Sequence, residues 1–539
     1  MRGIEALKPS IDSFPENSLQ AELTPAPEIQ EKCGVLGWMA WDNHSADLSM
    51  VQGQFLEAAK AQQHRGHQRT GIRGIRENGD VVSRIGKGSV RSVFPDNQGF
   101  DLGVEYSGVI HNTWTTDLSP GAEDAQHPVE ITAGNLKIII SHNGQILEPL
   151  NADNKHPNDS VALAHKFAEK WAAQQVSDPF EVISSVLSEI DGSYSIVAKF
   201  IEGDDEFIYA FRDPRAIRPF VYGVNESGVV IASETGALDA FGADQIGEID
   251  PGYIYRFDKY GQMARKKFAE AARKSCIFEN IYLTRKNHID QGIRVEEQRR
   301  RAGELIAESF SADELAEIEA NKDEYIAVPM PATAIPAAEG FAATIGVNYE
   351  SKAIEISDKY RRSFINGNGE AVNAALEEKF EFDPEKFAGK KVFVVDDSLV
   401  RGSTSKWMVK KLESLGATEI HLLLASPRIE NSCNLGADIR REVLMAPGKT
   451  NQQILETLQG DTREERETSK LKSVRYLDLD KLIEAIGQPA TDFCTGCING
   501  DYATNYPINF VKGALEIWTL FSKNFDIPYI PQVEELTTV

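Results

Sequence analysis

A cysteine, Cys33, stands directly after Lys32 and opens the apolar run CGVLGWMAW. Cleavage before it would make it N-terminal, and its own α-amine, which titrates near neutrality, could then take the thiol proton. The plainer reading of the same residues is a small buried hydrophobe in a strand. A second stretch, VVDDSLVRGST, brings Asp396 and Asp397 to the end of an apolar segment and follows them with Ser398, Arg401, Gly402, Ser403 and Thr404. At the C-terminal end of a strand in an open α/β sheet, that order makes a phosphate cradle: backbone N–H groups, hydroxyls and a helix N-terminus converge on an anion. The acids could accept hydrogen bonds from a ribose diol. Alternatively the string is a capped turn, since Asp, Ser, Gly and Thr are common helix starters. The other cysteines are Cys276, Cys433, Cys494 and Cys497, and only the last two, in CTGCINGDY, have the C-x2-C spacing of a metal-binding pair. The residues alone leave a metal site and scattered buried thiols both open.

These groups need elements to hold them. At 539 residues the chain exceeds one ordinary core, and two large domains fit its length. Residues 1–32 carry Pro9, Pro15, Pro25 and Pro27 without apolar periodicity and read as an extended leader. A helix over Phe55 to Gln63 follows the first strand. Short strands at Leu136 to Ser141, Tyr194 to Phe200, Phe207 to Phe211 and Val229 to Ser233 then predict an antiparallel, layered α+β domain. Beyond about residue 280 the texture alternates: Val295 to Ser309 reads as helix, Tyr325 to Val328 as strand and Ala337 to Ile345 as helix. That alternation predicts a parallel α/β sheet, with the DDSLVRGST loop inside one βαβ unit whose helix is closed by Gly416. The expected division is a leader 1–32, a first domain 33–265, a second 266–515 and a tail 516–539, with the join near 258–280.

Composition narrows the function. With 57 Lys+Arg against 82 Asp+Glu the formal net charge is -25, which repels polyanions and argues against a nucleic-acid partner. The sequence has no apolar stretch long enough to span a bilayer and no basic-then-apolar leader, so a cytoplasmic protein without membrane association is expected. Five cysteines are too sparse for a secreted disulfide scaffold.

The blocks QHRGHQRTGI, SHNGQI, RDPRAIRP and ASETGALD follow one another in the order seen in class II glutamine amidotransferases, and the strand, paired acids, Arg-Gly and hydroxyl-rich helix start resemble the loop of the type I phosphoribosyltransferases. From about Cys33 to about residue 505 the chain therefore resembles the glutamine phosphoribosylpyrophosphate amidotransferases. The resemblance implies an N-terminal-nucleophile αββα sandwich followed by a phosphoribosyltransferase sheet. It implies that Cys33 forms a γ-glutamyl thioester, that Asn143 and Gly144 supply an oxyanion hole, and that Arg65, Trp114, Thr116, His127 and Asp159 line the glutamine site, Asp159 on the α-amino group. Asp396, Asp397, Ser398, Arg401, Gly402, Ser403, Thr404 and Arg362 would bind phosphoribosylpyrophosphate, with Thr333, Asp396 and Asp397 near magnesium. One branch of the family has a cleaved leader and a four-iron, four-sulfur cluster, here implied on Cys276, Cys433, Cys494 and Cys497, with zinc as the other metal suited to four thiolates. The family reaction makes 5-phosphoribosylamine, the start of purine synthesis. The resemblance further implies homo-oligomers, a tetramer or dimer, and inhibition by purine nucleotides.

Several positions depart from the family pattern. Where the family places an arginine for the glutamine carboxylate, HNTWTT has Thr113, a loss of roughly 1.5 to 3 kcal/mol of charge-assisted contact. After QHRG the usual residues are replaced by His67, Gln68 and Arg69. Arg69 could compensate, but a solvated surface arginine is the ordinary case and is the expectation here. Ala332 replaces an acid after Pro331, and the flexible segment is shortened to KYRRSFI. Three functions are compatible with this: a glutamine-dependent amidotransferase, an ammonia- or amine-dependent phosphoribosyltransferase, and a retired enzyme that binds nucleotides as a regulator.

Overall fold

The computed structural model describes residues 33–41, 48–76, 80–95, 107–113, 126–147, 156–173, 178–202, 207–357, 369–437, 439 and 444–504. The leader, the C-terminal tail, Trp114, Thr116 and Arg362 lie outside the described residues.

The first half is built on strands β1 (Gly34–Ala40), β2 (Arg69–Ile75), β3 (Val81–Lys87), β4 (Ser107–Thr113), β5 (Val129–Ala133), β6 (Leu136–Ile146), β7 (Gly192–Ile201), β8 (Phe207–Arg212), β9 (Val221–Asn225), β10 (Gly228–Ala232), β11 (Gln245–Glu248), β12 (Tyr253–Asp258) and β13 (Met263–Lys267). They form two antiparallel sheets, ordered β11-β9-β10-β1-β4-β2-β3 and β13-β12-β8-β7-β6-β5. Helices α1 (Leu48–Ala61), α2 (Asp159–Ala173), α3 (Pro179–Leu187) and α4 (Thr235–Phe241) cover the outside. Strand β1 reads as a continuous apolar run because both of its faces are buried. Leu36, Trp38 and Ala40 pack with Phe55 of α1 and Phe241 of α4, while Val35 and Met39 meet Val109, Ile139 and Val197 between the sheets. The opposite face of the second sheet packs Ile138, Ile140 and Ile196 against Leu163, Phe167, Val182 and Ile183. The result is the expected four-layer αββα sandwich.

The second half holds a parallel sheet of β14 (Tyr325–Pro329), β15 (Asn348–Tyr349), β16 (Lys391–Asp396), β17 (Glu419–Leu424) and β18 (Leu471–Tyr476), in the order β15-β14-β16-β17-β18. Helices α5 (Val295–Ile306) and α6 (Ile335–Ile345) bury one face with Phe393, Val395 and Leu423. Helix α7 (Ser403–Ser414) buries the other with Val392, Val394, Leu422 and Leu424.

Element types match the sequence expectations, and boundaries shift for local reasons. Helix α1 begins at Leu48 and ends at Ala61, with Gln63–Arg65 forming a separate 3-10 turn. Strand β6 runs past Ser141 to Ile146 because Asn143 and Gly144 keep their pairing with Ser195 and Tyr194. Helix α6 starts at Ile335, with Pro336 in its first turn where the missing N–H is not needed. Residues Ala307–Ser309 tighten into a 3-10 turn after α5. Strand β13 extends to Lys267, just past the expected domain boundary.

Helices α5 and α6 touch backbone to backbone: a Cβ on Gly303 would lie 1.8 Å from the Ala337 carbonyl oxygen, and one on Gly340 would lie 2.1 Å from that of Arg300. Gly303→Ala should therefore cost about 1–3 kcal/mol in urea unfolding. Gly53→Ala in α1, which meets nothing within 4 Å, should be neutral or stabilising by up to about 1 kcal/mol.

Candidate active site

Cys33 is half-buried at the mouth of the sandwich, one residue before β1. The start of β1 is pinned: the Val35 N–H donates to Ser233 Oγ at 3.1 Å, and Gln62 Nε2 donates to the Val35 carbonyl at 3.0 Å. From the facing sheet, β6 carries Ile139, Ser141 and Asn143 on alternate positions. Ile139 belongs to the core between the sheets, and Ser141 meets His111 of β4 at 2.8 Å. Asn143 thus points into the same inter-sheet space as Cys33. It is fully buried, yet neither its Oδ1 nor its Nδ2 has a protein partner. A buried orphan amide costs about 1–3 kcal/mol unless something supplies a partner. Gly144 beside it has φ +150, and a Cβ there would sit 1.9 Å from the Ser193 carbonyl oxygen, so only glycine fits.

Asp159 opens α2 and accepts the Ile146 N–H at 2.9 Å and the Gln145 amide at 3.4 Å. His127 stacks on His111 with centroids 4.4 Å apart, and its Nε2 faces the Asn158 amide at 3.4 Å. Burial, helped by neighbouring His142, pushes His127 down to about 4 and His111 well below its ordinary value, so both rings are neutral near pH 7.

Arg65 lies behind this wall and faces inward. Its Nε donates to Glu234, and its Nη2 donates to Glu279 Oε2 at 2.7 Å and to Thr284 Oγ1 at 3.3 Å. The guanidinium is committed to two buried carboxylates, which leaves it a positioning group for the strand and not a contact for a ligand. Arg218 reaches the same Glu279 at 2.9 Å, and His64 meets Glu234 at 2.8 Å. Burial alone would raise the Glu279 carboxyl, but Arg65 and Arg218 hold it down at about 2. The Glu234 and Arg218 sequence blocks were legible as motifs. Glu279 had no signal beyond its place in the segment after Cys276.

At the other end, β16 lies in the middle of the parallel sheet and delivers Asp396 to its C-terminal edge. Asp396 Oδ1 accepts the Asp397 N–H at 2.8 Å, and Asp397 Oδ1 accepts the Ser398 hydroxyl at 2.7 Å. Leu399 and Val400 anchor the loop in the cores on either side of the sheet. Gly402 has φ +80, and a Cβ there would meet Met445 Cε at 2.2 Å. The hydroxyls of Ser403 and Thr404 begin α7, whose first turn takes no side-chain cap and so keeps its amides directed at the loop. Arg401 sits half-buried in the same turn. Thr333, after the cis Pro331–Ala332 peptide, lines one cavity with Asp397, Asn280, Gln298 and Arg299.

The four remaining cysteines come together. Cys276 and Cys494 are register partners in a short parallel pair, and all four line one cavity with Arg218, Leu435 and Tyr502. Cys433 Sγ accepts the N–H groups of Leu435 and Ala437, each at 3.4 Å. Burial pushes the Cys276 thiol up to about 12 and that of Cys497 well above its usual range, so thiolates there need a cation to hold them. Among the described residues, no group of three or more His, Cys, Asp or Glu is spaced to grip a single ion. Magnesium, for its part, is commonly held by one or two carboxylates together with substrate phosphates, and an all-protein cage is not required.

No protein-family model matches the chain. A solved structure described as glutamine phosphoribosylpyrophosphate amidotransferase from B. subtilis complexed with ADP and GMP superposes with a TM-score of 0.72, covering 88% of this chain and 98% of that one at 24% identity. The fold is therefore that of an N-terminal-nucleophile amidotransferase sandwich joined to a phosphoribosyltransferase sheet. Among curated relatives, the chloroplastic amidophosphoribosyltransferase of Glycine max is 31% identical over 481 residues, 88% of this chain and 78% of its own. The amidophosphoribosyltransferase of Methanothermobacter thermautotrophicus is 29% identical over 491 residues, 89% of this chain and 96% of its own. The chain belongs to the amidophosphoribosyltransferase family.

The neutral histidines set a pH dependence. Unfolded, they regain an ordinary pKa of 6.5 and bind more protons than the folded chain, so stability falls as pH drops from 6.5 towards about 4. His127→Gln should flatten that slope in urea titrations between about pH 7 and pH 5; an unchanged slope contradicts neutral burial.

Proposed function

We propose that the chain catalyses glutamine-dependent amination of phosphoribosylpyrophosphate, giving 5-phosphoribosylamine, pyrophosphate and glutamate, the first step of purine nucleotide synthesis. Family membership supports the reaction, and the orphan amide of Asn143 facing Cys33 is the observation that carries its glutaminase half.

The Cys33 thiolate adds to the glutamine carboxamide carbon, and the developing oxyanion collects on the Asn143 amide beside Gly144. The C–N bond breaks, the nitrogen takes the proton and ammonia leaves. Water then cleaves the acyl–sulfur bond to glutamate. Removal of the leader before Cys33 would supply the α-amine as base. Asp159 faces the substrate ammonium, and neutral His127 and His111 wall the pocket without adding charge. Of the remaining expected contacts, Trp114 and Thr116 complete the glutamine site in this reading.

At the second site, ammonia attacks C1 of the sugar as the C1–O bond to pyrophosphate breaks. Asp396 and Asp397 take the ribose diol, and Ser398, Arg401, Gly402, Ser403 and Thr404 cradle the 5-phosphate at the start of α7. Arg362, outside the described residues, belongs to the phosphoribosylpyrophosphate site in this reading. Thr333, Asp396 and Asp397 would hold a magnesium ion together with the substrate phosphates, and its positive charge would offset the negative charge of the leaving pyrophosphate. Cys276, Cys433, Cys494 and Cys497 would hold a four-iron, four-sulfur cluster, which would tie the C-terminal segment to the join between domains 33–265 and 266–515. Purine nucleotides as inhibitors, a homo-oligomer and a cytoplasmic location complete the reading. Among the described residues no helix is long and apolar enough to cross a membrane.

Thr113 favours a second reading, in which the glutaminase half is idle and free ammonia is the donor. The discriminating assay measures glutamate and pyrophosphate release from anaerobically purified protein with glutamine or ammonium. The first reading expects glutamine to yield both products, Cys33→Ala to abolish the glutamine reaction while sparing the ammonium one, and Asn143→Ala to lower glutaminase kcat about 100-fold or more. Pyrophosphate release with ammonium and none with glutamine selects the second reading.

A further inference from the structure

We propose that Arg69 is the residue that binds the glutamine α-carboxylate in this chain, reaching it from the strand next to the one that carries Thr113; the inference rests on the glutaminase reading. In the register of the first sheet, Gly34 pairs with Asn112, Asn112 with Thr70, and Thr113 with Arg69. One step outward along the same antiparallel register sets Cys33 opposite Thr113. Cys33, Thr113 and Arg69 therefore form one row across β1, β4 and β2, with side chains on one face.

That face is the inner one. Val35, Val109 and Ile75, which share alternation with Cys33, Thr113 and Arg69, all belong to the core between the sheets. Arg73, four residues along β2 and on the same face as Arg69, donates to the Pro128 carbonyl at 2.7 Å and pairs with Glu130 of the second sheet. The expectation of a solvated surface arginine is thus overturned: Arg69 is half-buried and directed to the cleft side of the sheet. Gly71, between Arg69 and Arg73, is covered by His127, whose carbonyl oxygen lies 1.9 Å from where a Cβ would be. The inter-sheet space is closed at Gly71, and Arg69 is next towards the mouth.

The dimensions fit. Two strand spacings put Arg69 about 10 Å from Cys33 between Cα atoms. The carboxamide and α-carboxylate carbons of glutamine are roughly 5 Å apart, four bonds of about 1.5 Å folded through tetrahedral angles. A glutamine with its carboxamide at Cys33 and Asn143 then lies over Thr113, whose short buried side chain leaves room. Its carboxylate falls towards a fork that can bind both oxygens, while Asp159 faces the ammonium from the start of α2, beside the end of β6. Moving the fork one strand away keeps it in the same row at the same level.

The test uses the anaerobically purified full chain. Glutaminase kinetics are measured with glutamine and with 4-aminobutyramide, which keeps the reacting carboxamide but lacks the α-carboxylate, and ammonium-dependent pyrophosphate release monitors folding. Arg69→Ala should raise the glutamine KM about 10- to 150-fold, the size of one lost charge-assisted contact, while turnover of the analogue and the ammonium reaction stay within about twofold. Thr113→Arg added to Arg69→Ala should recover most of the glutamine KM. An unchanged glutamine KM in Arg69→Ala, or equal losses with glutamine and the analogue, overturns the assignment. Wild-type protein that releases no glutamate but uses ammonium overturns the glutaminase reading itself, a different result from either.

Discussion

Glu279 is the constraint on which the two halves depend. Its carboxylate is buried between Arg65, which comes from the turn before β2, and Arg218, which comes from the loop before β9. Two arginines, two carboxylates and His64 make a closed buried network, with Glu234 taking the remaining face of Arg65. Charges removed from water in this way are tolerable only when each is met by a partner. The chain between these elements therefore has little freedom to move without exposing an unpaired charge to a dry interior.

Both chemical ends inherit that fixity. Arg65 packs under β1, where a Cβ on Gly34 would lie 3.3 Å from Arg65 Cβ and 3.3 Å from the Gln62 carbonyl oxygen. Arg218 lines the cysteine cavity and donates to the Leu435 carbonyl at 3.0 Å, next to the N–H groups that meet Cys433. Glu279 itself follows Cys276 by three residues and precedes α5, which shares the cavity beside Asp397. One ion network thus spans from the wall behind Cys33 to the thiols and the approach to the phosphoribosyl loop.

The parts legible in sequence were those whose chemistry is local. The DDSLVRGST loop has its strand, acids, glycine and hydroxyls within a dozen residues, so the strand–loop–helix pattern could be read, and the structure places the acids at the strand's end and the hydroxyls at the start of α7. The HNG segment was legible by motif, but its role depends on Asn143 facing a strand more than a hundred residues earlier, which only the stacking of the sheets reveals. The facing of Arg69 is not legible in the sequence for a specific reason: Thr70 and Ile72 are buried on one face of β2, while Gly71 and Ile75 are covered on the other. A strand buried on both faces shows no alternation from which to tell inside from outside. Glu279 had no motif at all, because a buried carboxylate is defined by partners 61 and 214 residues away.

The most direct test of this account is amide hydrogen exchange on Glu279→Ala. The account predicts exchange at least about tenfold faster both in residues 62–66, behind β1, and in residues 433–437, at the cysteine cavity, since each arginine loses the same counter-charge. Faster exchange confined to the segment around residue 279, with both distant segments unchanged, would contradict the claim that this one carboxylate ties the two halves together.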